Sequence, residues 1–332
     1  MTFGSLSLAT ALALLLTGAA SAQTAPDPGA TSVEDVAVTA ATRRGMEAYA
    51  RDVGSGPMGR LNPRWNDRIC VRVVYMDAEH AVYLKDRVAT VAEAIGLSPD
   101  RSPDCRADIS IFASDDPDAL AAELLEAAPR NFRPALNGVT LGNAALEAFL
   151  TSDAPVRWWQ VSLPLMEDSG EIAIALKASE PGVMARSVVV RNASRLRGNV
   201  RDDLAAVTII LDTRQLAGVP FSAVSDYVAF VALAPADPRV DTERFDTVLN
   251  LFQRPGLPGL TATDGDYLYA LYSASRAPIN ASVQAAEIAD RMATERRRRG
   301  AASDCKPRPD RSAWASPRRA PAPASRGCRA GG

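Results

Sequence analysis

The sequence predicts an α+β fold, with a mixed sheet in the N-terminal half and a helix-rich C-terminal half. Three observations support this: two β-branched segments joined through an amphipathic helix, further strand-like segments mixed with helical ones, and mainly helical patterns from Ser222 onward. The apolar content of 47% is that of an ordinary globular chain, which can bury a substantial core. We expect one domain over residues 35–295.

The clearest local signal is a parallel β-α-β unit. A strand is predicted over 69–75 (ICVRVVY), followed by a helix that Asp77 caps and Gly96 ends, and a second strand over 108–113 (DISIFA). Two strands joined through a helix are expected to be parallel, with a right-handed crossover. The starts of both strands then lie on one edge of the sheet.

Cysteine positions agree with this unit. Cys70 lies at the start of the first strand and Cys105 just ahead of the second, so we predict a Cys70–Cys105 disulfide. It would close a loop of about 35 residues and contribute about 3–4 kcal/mol. A Cys305–Cys328 bond is a weaker prediction, because nothing in the tail positions those two cysteines.

The remaining elements follow from local patterns. Residues 222–233 (SAVSDYVAFVAL) predict a largely apolar helix in the centre of the domain. Helices are also predicted over 33–50, 117–128, 143–150, 263–275 and 281–298, and strands over 157–163, 184–190 and 206–211.

The two ends of the chain are expected to differ from the domain. Residues 1–22 read as a cleavable signal peptide, with an apolar run and the small-x-small pattern Ala20-Ser21-Ala22, so the mature protein is expected in the periplasm or secreted. Residues 23–34 are expected to be a disordered lead. Residues 296–332 are rich in Arg, Pro and Ala and are also expected to be disordered. No later segment is long and apolar enough to predict a transmembrane helix.

Charge and composition exclude several classes of partner. Residues 296–332 carry 11 Lys/Arg and 2 Asp/Glu, a net of +9, so the rest of the chain carries −11 of the total of −2. An acidic body argues against nucleic-acid binding. With one His and no C-x-x-C, no metal site and no cofactor are expected.

Three matches to functional motifs are better explained as structural or chance features of the sequence. Gly54–Gly59 has the spacing G-x-G-x-x-G but follows a predicted helix, so we interpret it as a connector. Ser303–Lys306 matches S-x-x-K within the tail, where nothing holds it rigid. His80, the only candidate base for a serine triad, is expected on the surface of its helix.

Carboxylates are the remaining catalytic candidates. Asp212 ends a buried-looking strand, and Asp226 lies inside the apolar helix, where a buried carboxylate needs a partner. We expect structural pairing of Asp226, with a catalytic role as the alternative. Asp264 and Asp266 stand at the start of a predicted helix, and Asp264 is interpreted as an early-helix charge that the helix dipole favours.

A tryptophan pair and a run of four arginines can each be interpreted as structural or as part of a binding site. Trp158 and Trp159 should point to opposite faces of a strand, as core residues or with one exposed as a binding aromatic. The four arginines 296–299 are expected to be a solvated helix end rather than a ligand site.

Two resemblances extend this interpretation. Segments including RWNDRICVRVV, PDCRADISIFASDDPDALA and VSDYVAFVALA resemble a family of uncharacterised exported proteins of alphaproteobacteria, which brings no activity with it. The run from Ser225 to Leu233 is similar to the zinc-peptidase helix H-E-x-x-H-x-x-G-L, and residues 260–272 resemble the helix that follows it in secreted zincins. Ser225 and Ala229 stand at the positions of the ligand histidines and Asp226 at that of the general-base Glu. The resemblance therefore implies a degenerate zincin-like scaffold without zinc.

These observations favour a non-catalytic binding protein of the cell envelope. A metal-independent hydrolase that uses Asp212 and Asp226 is one alternative. An adaptor is the other, with its basic tail on an anionic envelope polymer and its body on another envelope protein.

Overall fold

The fold is α+β, and it is built on a five-stranded mixed sheet with helices on both faces. The structure is a computed structural model that describes residues 33–54, 56–173, 197–254 and 256–304, with side chains from 42 to 300. Contacts divide the chain into two compact units, Met1–Thr39 and Ala40–Gly332. The first contributes only the beginning of helix α1 to the described residues.

The strands are β1 (Arg68–Val74), β2 (Ser98–Asp100), β3 (Ile109–Ser114), β4 (Val156–Met166) and β5 (Val200–Asp212). Their order in the sheet is β2-β1-β3-β5-β4. All neighbours are parallel except β4 and β5, which pair antiparallel. The mixed sheet and its parallel β-α-β start are therefore confirmed.

The helices are α1 (Val33–Asp52), α2 (Ala78–Ala94), α3 (Pro117–Ala127), α4 (Pro129–Phe132), α5 (Asn143–Thr151), α6 (Phe221–Leu233), α7 (Ala262–Ser273) and α8 (Ala281–Asp304). Among the predicted elements, the strand over 184–190 lies outside the described residues. The short elements β2 and α4 were not predicted, because three or four residues carry too little periodicity to recognise.

The described residues form two hydrophobic cores, one on each face of the sheet. Ile209 and Trp158 belong to a large core with residues of α1, α2, α6, α7 and α8, whereas Ile210 and Trp159 belong to a smaller core with α3, α4 and α5. Because side chains of a strand alternate between faces, these are the two faces of one sheet. Both tryptophans are buried.

Helix α6 lies at the centre of the larger core, as its composition predicts. Every residue from Ala223 to Leu233 is buried, because a helix that is apolar on all sides has no face suited to water. The helix contacts α2, β5 and α7.

The Cys70–Cys105 disulfide is present. Register explains it: Val71 of β1 is opposite Ile109 of β3, so the two strand starts lie side by side. Cys70 N–H also donates to the Asp108 carboxylate at 2.8 Å. Cys305 and Cys328 lie outside the described residues.

The last helix extends past the expected end of the domain at residue 295. Helix α8 continues to Asp304 and places the arginines 296–299 on an ordered helix. Two of them return to the domain, because Arg296 and Arg299 pair with the fully buried Asp266 of α7, at 3.4 and 2.5 Å. The sequence shows the run of arginines, but it does not show that two of them pair with the buried Asp266.

Candidate functional site

Asp226, the first catalytic candidate, is held by an ion pair and a backbone bond. Its Oδ1 accepts a hydrogen bond from Arg87 Nε of α2, and its Oδ2 accepts one from Leu260 N–H at 2.9 Å. The side chain is about one-eighth exposed. Asp226 therefore joins α2, α6 and the turn that precedes α7, as expected of a buried carboxylate with a partner.

The turn opposite Asp226 requires glycine. Gly259 has φ +143°, and an added Cβ would overlap Asp226 Oδ2. The close approach of the backbone lets the Leu260 amide reach the carboxylate.

Asp212, the second candidate, lies at the end of β5 and has its own partners. It accepts hydrogen bonds from the Arg214 backbone and guanidinium at 3.0–3.2 Å and from Gln215 Nε2 at 2.9 Å. Burial by itself raises the pKa of the Asp212 carboxyl, but these hydrogen bonds outweigh it and lower that pKa below its ordinary value. Asp212 and Asp226 share no hydrogen-bond partner, so the structure does not assemble them as an acid–base pair.

The zincin-like positions of α6 are engaged in packing. Ser225 Oγ donates to the Phe221 carbonyl at 2.7 Å, and Ala229 is fully buried. Within the described part of the chain, no group of three or more His, Cys, Asp or Glu side chains could hold a metal ion.

Asp264 lies in the first turn of α7, as predicted, but the sequence did not show that both Asp264 and Asp266 are fully buried. Asp264 forms a capping box with Thr261 and also accepts hydrogen bonds from Tyr49 and Thr247, each at 2.7 Å. Burial raises the pKa of both carboxyls, and the hydrogen bonds and arginines around them lower it only in part. Sequence spacing could not show that α1 and the segment before α7 would enclose Asp264.

His80 is on the surface, as expected. Its Nδ1 lies 2.7 Å from Asp77 Oδ2, and its ring packs edge-on against Phe221 with centroids 4.7 Å apart. Gly54–Gly59 follows α1 rather than a strand and contains a short 3₁₀ turn. Neither feature has the context that a catalytic or nucleotide-binding motif requires.

A cleft that the sequence did not reveal lies beside the start of β4. Its volume is about 340 Å³, and it is enclosed by the end of α5, the first residues of β4, Tyr227 of α6 and the segment 237–253. Val156 of β4 is opposite Leu211 of β5, which places the cleft near the carboxyl ends of the parallel strands. Ligands of open α/β sheets commonly bind at that edge.

Aromatic residues form much of the lining of this cleft, among them Trp158, Tyr227 and Phe252. Tyr227 packs edge-on against Trp158, with centroids 6.1 Å apart, and lies 5.3 Å from Phe252. Trp158 Nε1 donates to the Ala236 carbonyl at 2.9 Å, which fixes the indole. Trp158 is thus both a core residue and a wall of the cleft.

Some polar side chains of the cleft have ion-pair partners within the protein, whereas the Tyr227 hydroxyl has no hydrogen-bond partner among the described residues. Arg157 pairs with Asp118 at 2.6 Å, and Asp237 pairs with Arg239 at 2.6 Å. The Tyr227 hydroxyl, on a side chain that is 6% exposed, makes no hydrogen bond with the part of the chain that the structure describes. Burial raises the pKa of Tyr227, so the hydroxyl stays protonated and can donate.

The chain matches no family model, no curated protein and no solved structure. No helix among the described residues is long and apolar enough to span a membrane.

Proposed function

We propose that the protein is exported and acts as a non-catalytic binding protein of the cell envelope, holding its ligand in the aromatic cleft. The single observation that carries the proposal is the aromatic lining of the cleft, which includes the Tyr227 hydroxyl, a group with no hydrogen-bond partner among the described residues. A ligand that accepts a hydrogen bond from this hydroxyl would gain about 0.5–1.5 kcal/mol net. Export is supported by the leader, and mass spectrometry of the secreted protein is expected to find Gln23 at its N-terminus.

The lining favours an uncharged ring with hydroxyl groups. Trp158, Tyr227 and Phe252 supply apolar surface, and the charges of Arg157 and Asp237 are already neutralised by partners. Asp153, at the rim, has a carboxylate with no ion pair among the described residues and would repel an anion. A sugar ring of an envelope glycan fits this combination of aromatic walls and few polar groups.

Calorimetry with the tetrasaccharide of N-acetylglucosamine tests the proposal. Tyr227→Phe removes only the hydroxyl and is expected to weaken binding about five- to tenfold, the effect of one neutral hydrogen bond. Tyr75→Phe, at a tyrosine that is 70% exposed and outside the cleft, is the matched control and should bind like the natural protein. Equal affinities of the natural protein and Tyr227→Phe, or no binding at millimolar sugar, would contradict the proposal.

We propose that the protein has no zinc-dependent hydrolase activity, because the residues of α6 that align with the zincin motif are unsuited to it. Ser225 and Ala229 cannot replace two imidazoles, and Asp226 is bound to Arg87 and Leu260. We expect protein purified without chelator to contain no stoichiometric zinc by elemental analysis. Casein with added zinc should remain uncut, and chelator-sensitive cleavage that Asp226→Asn abolishes would instead support an enzyme.

The adaptor alternative depends mainly on the basic tail. Residues 305–332 lie outside the described residues, and two of the arginines ahead of them pair with Asp266. No contact on the described surface favours this alternative over a ligand in the cleft.

A further inference from the structure

Strand β1 has one edge that is only half covered. β2 pairs with β1 from Arg68 to Cys70 and then ends, whereas β3 pairs with β1 from Val71 to Val74. On the β2 side, therefore, no strand of the described chain pairs with Val71–Val74. Backbone N–H and C=O groups on such an edge can pair with an added strand.

This open edge borders a groove. Two adjoining cavities, of about 230 and 180 Å³, share Val71, Val82 and Lys85 in their linings. Helix α2 forms one wall, and the loop that carries Pro103 and the disulfide forms another. Val82 is 58% exposed, so the wall presents apolar surface to a strand lying beside β1.

The groove also contains an uncompensated positive charge. The side chain of Lys85 in α2 makes no ion pair or hydrogen bond with the described residues. Its neighbour Asp86 is engaged by Arg101 at 3.1 Å, and Arg101 also pairs with Glu93. The ammonium is therefore available to a carboxylate in the groove.

We propose that this groove binds an extended, acidic peptide segment of a partner protein by strand addition to Val71–Val74. Main-chain hydrogen bonds to the open edge would supply affinity. Alternate side chains of an added strand point to the same face, so every second residue would lie toward α2. A carboxylate on that face pairs with Lys85. This site is separate from the aromatic cleft and does not depend on sugar binding.

Fluorescence anisotropy of the mature full-length protein with three labelled octapeptides tests the proposal. The first alternates valine and glutamate, the second alternates valine and lysine, and the third is the first with alternate backbone amides N-methylated. Only the first is expected to bind, because the second places ammonium groups beside Lys85 and the third cannot complete the backbone pairing.

Two variants assign the binding to the groove. Lys85→Glu is expected to weaken binding of the valine–glutamate peptide at least tenfold and to create binding of the valine–lysine peptide. Arg130→Glu makes the same charge change at an exposed position of α4, outside the groove, and should leave both affinities unchanged. Because Lys85 has no partner to lose, its replacement should not unfold the protein, which circular dichroism would verify.

Three results would overturn the proposal. They are undiminished binding of the N-methylated peptide, an unchanged affinity in Lys85→Glu, and no binding of the valine–glutamate peptide at millimolar protein. Self-association of the protein alone, abolished by Val82→Glu, would assign the groove to a second copy and would also overturn it.

Discussion

At the scale of single residues, the candidate site is governed by buried carboxylates and by what each one meets. Asp226 meets Arg87 and a backbone amide, Asp212 meets Arg214, and Asp264 meets hydroxyl groups. Burying a charge without such partners would cost several kcal/mol, so these contacts are requirements of the fold. The unpartnered groups are different. The Tyr227 hydroxyl and the Lys85 ammonium have no polar partner among the described residues.

Gly259 provides a residue-scale test of the Asp226 junction. Gly259→Ala introduces a Cβ that overlaps the Asp226 carboxylate, at a φ that side chains rarely adopt. We expect it to lower the free energy of unfolding by about 2–4 kcal/mol, measured by urea denaturation. Gly256→Ala, at a glycine three residues earlier with open space around it, should change stability by less than about 0.5 kcal/mol. Equal stabilities of the two variants would show that the turn does not constrain Asp226.

At the scale of elements, α8 is tied to α7 through charge as well as apolar packing. Ile288 and Met292 of α8 are fully buried in the larger core, and Arg296 and Arg299 then cover Asp266. Asp266 Oδ2 receives both arginines, whereas Oδ1 has no hydrogen bond in the described structure. The end of the helix is therefore ordered by a buried acid on its neighbour.

The double variant Arg296→Gln/Arg299→Gln tests this tie. It leaves the Asp266 carboxylate buried without a positive partner, so we expect unfolding free energy at pH 7.5 to fall by about 1–3 kcal/mol; the partial exposure of both arginines limits the loss. Adding Asp266→Asn should restore most of the stability, because a neutral amide tolerates the site.

The control uses the same four-arginine run. Among the described residues, the polar partners of Arg297 and Arg298 lie on their own helix, at Thr294 and Glu295. Arg297→Gln/Arg298→Gln should therefore lose less than about 0.5 kcal/mol. A comparable loss in both double variants would mean that total charge, and not Asp266, stabilises α8.

At the scale of the whole molecule, the pH dependence of the unfolding free energy is expected to depend on a buried ionic cluster near the start of β5. Burial raises the pKa of Asp202 to about 6, although Arg60, at 3.0 Å, and the Leu61 amide oppose the rise; the neighbouring Asp203 adds to it. Because the folded pKa lies above the ordinary value of 3.8, the folded state binds the proton more tightly than the unfolded chain does. The stability that this proton contributes is complete below about pH 4 and is lost as pH rises through 6.

Asp202→Asn should therefore remove part of the decline in unfolding free energy between pH 4 and pH 7.5, by about 1–3 kcal/mol. Urea denaturation across that range measures the slope. Asp212→Asn is the control of opposite sign: the folded pKa of Asp212 is lowered, so its contribution is present at neutral pH and is lost as pH falls. Parallel pH profiles for Asp202→Asn and the natural protein would contradict the assignment.

The amino-acid sequence was sufficient to predict the α+β class, the parallel β-α-β start, the central position of α6 and the Cys70–Cys105 bond. Each depends on local periodicity, composition or the direction of a crossover, which are properties of short segments. Only the tertiary structure decided the burial of Asp264 and Asp266, the order of α8 to Asp304, the aromatic cleft and the open edge of β1. Each of these arises where segments distant in sequence meet, as Tyr49 meets Asp264 and Trp158 meets Tyr227. Periodicity specifies which face of an element is apolar, but it does not specify which neighbour covers that face or where the cover ends.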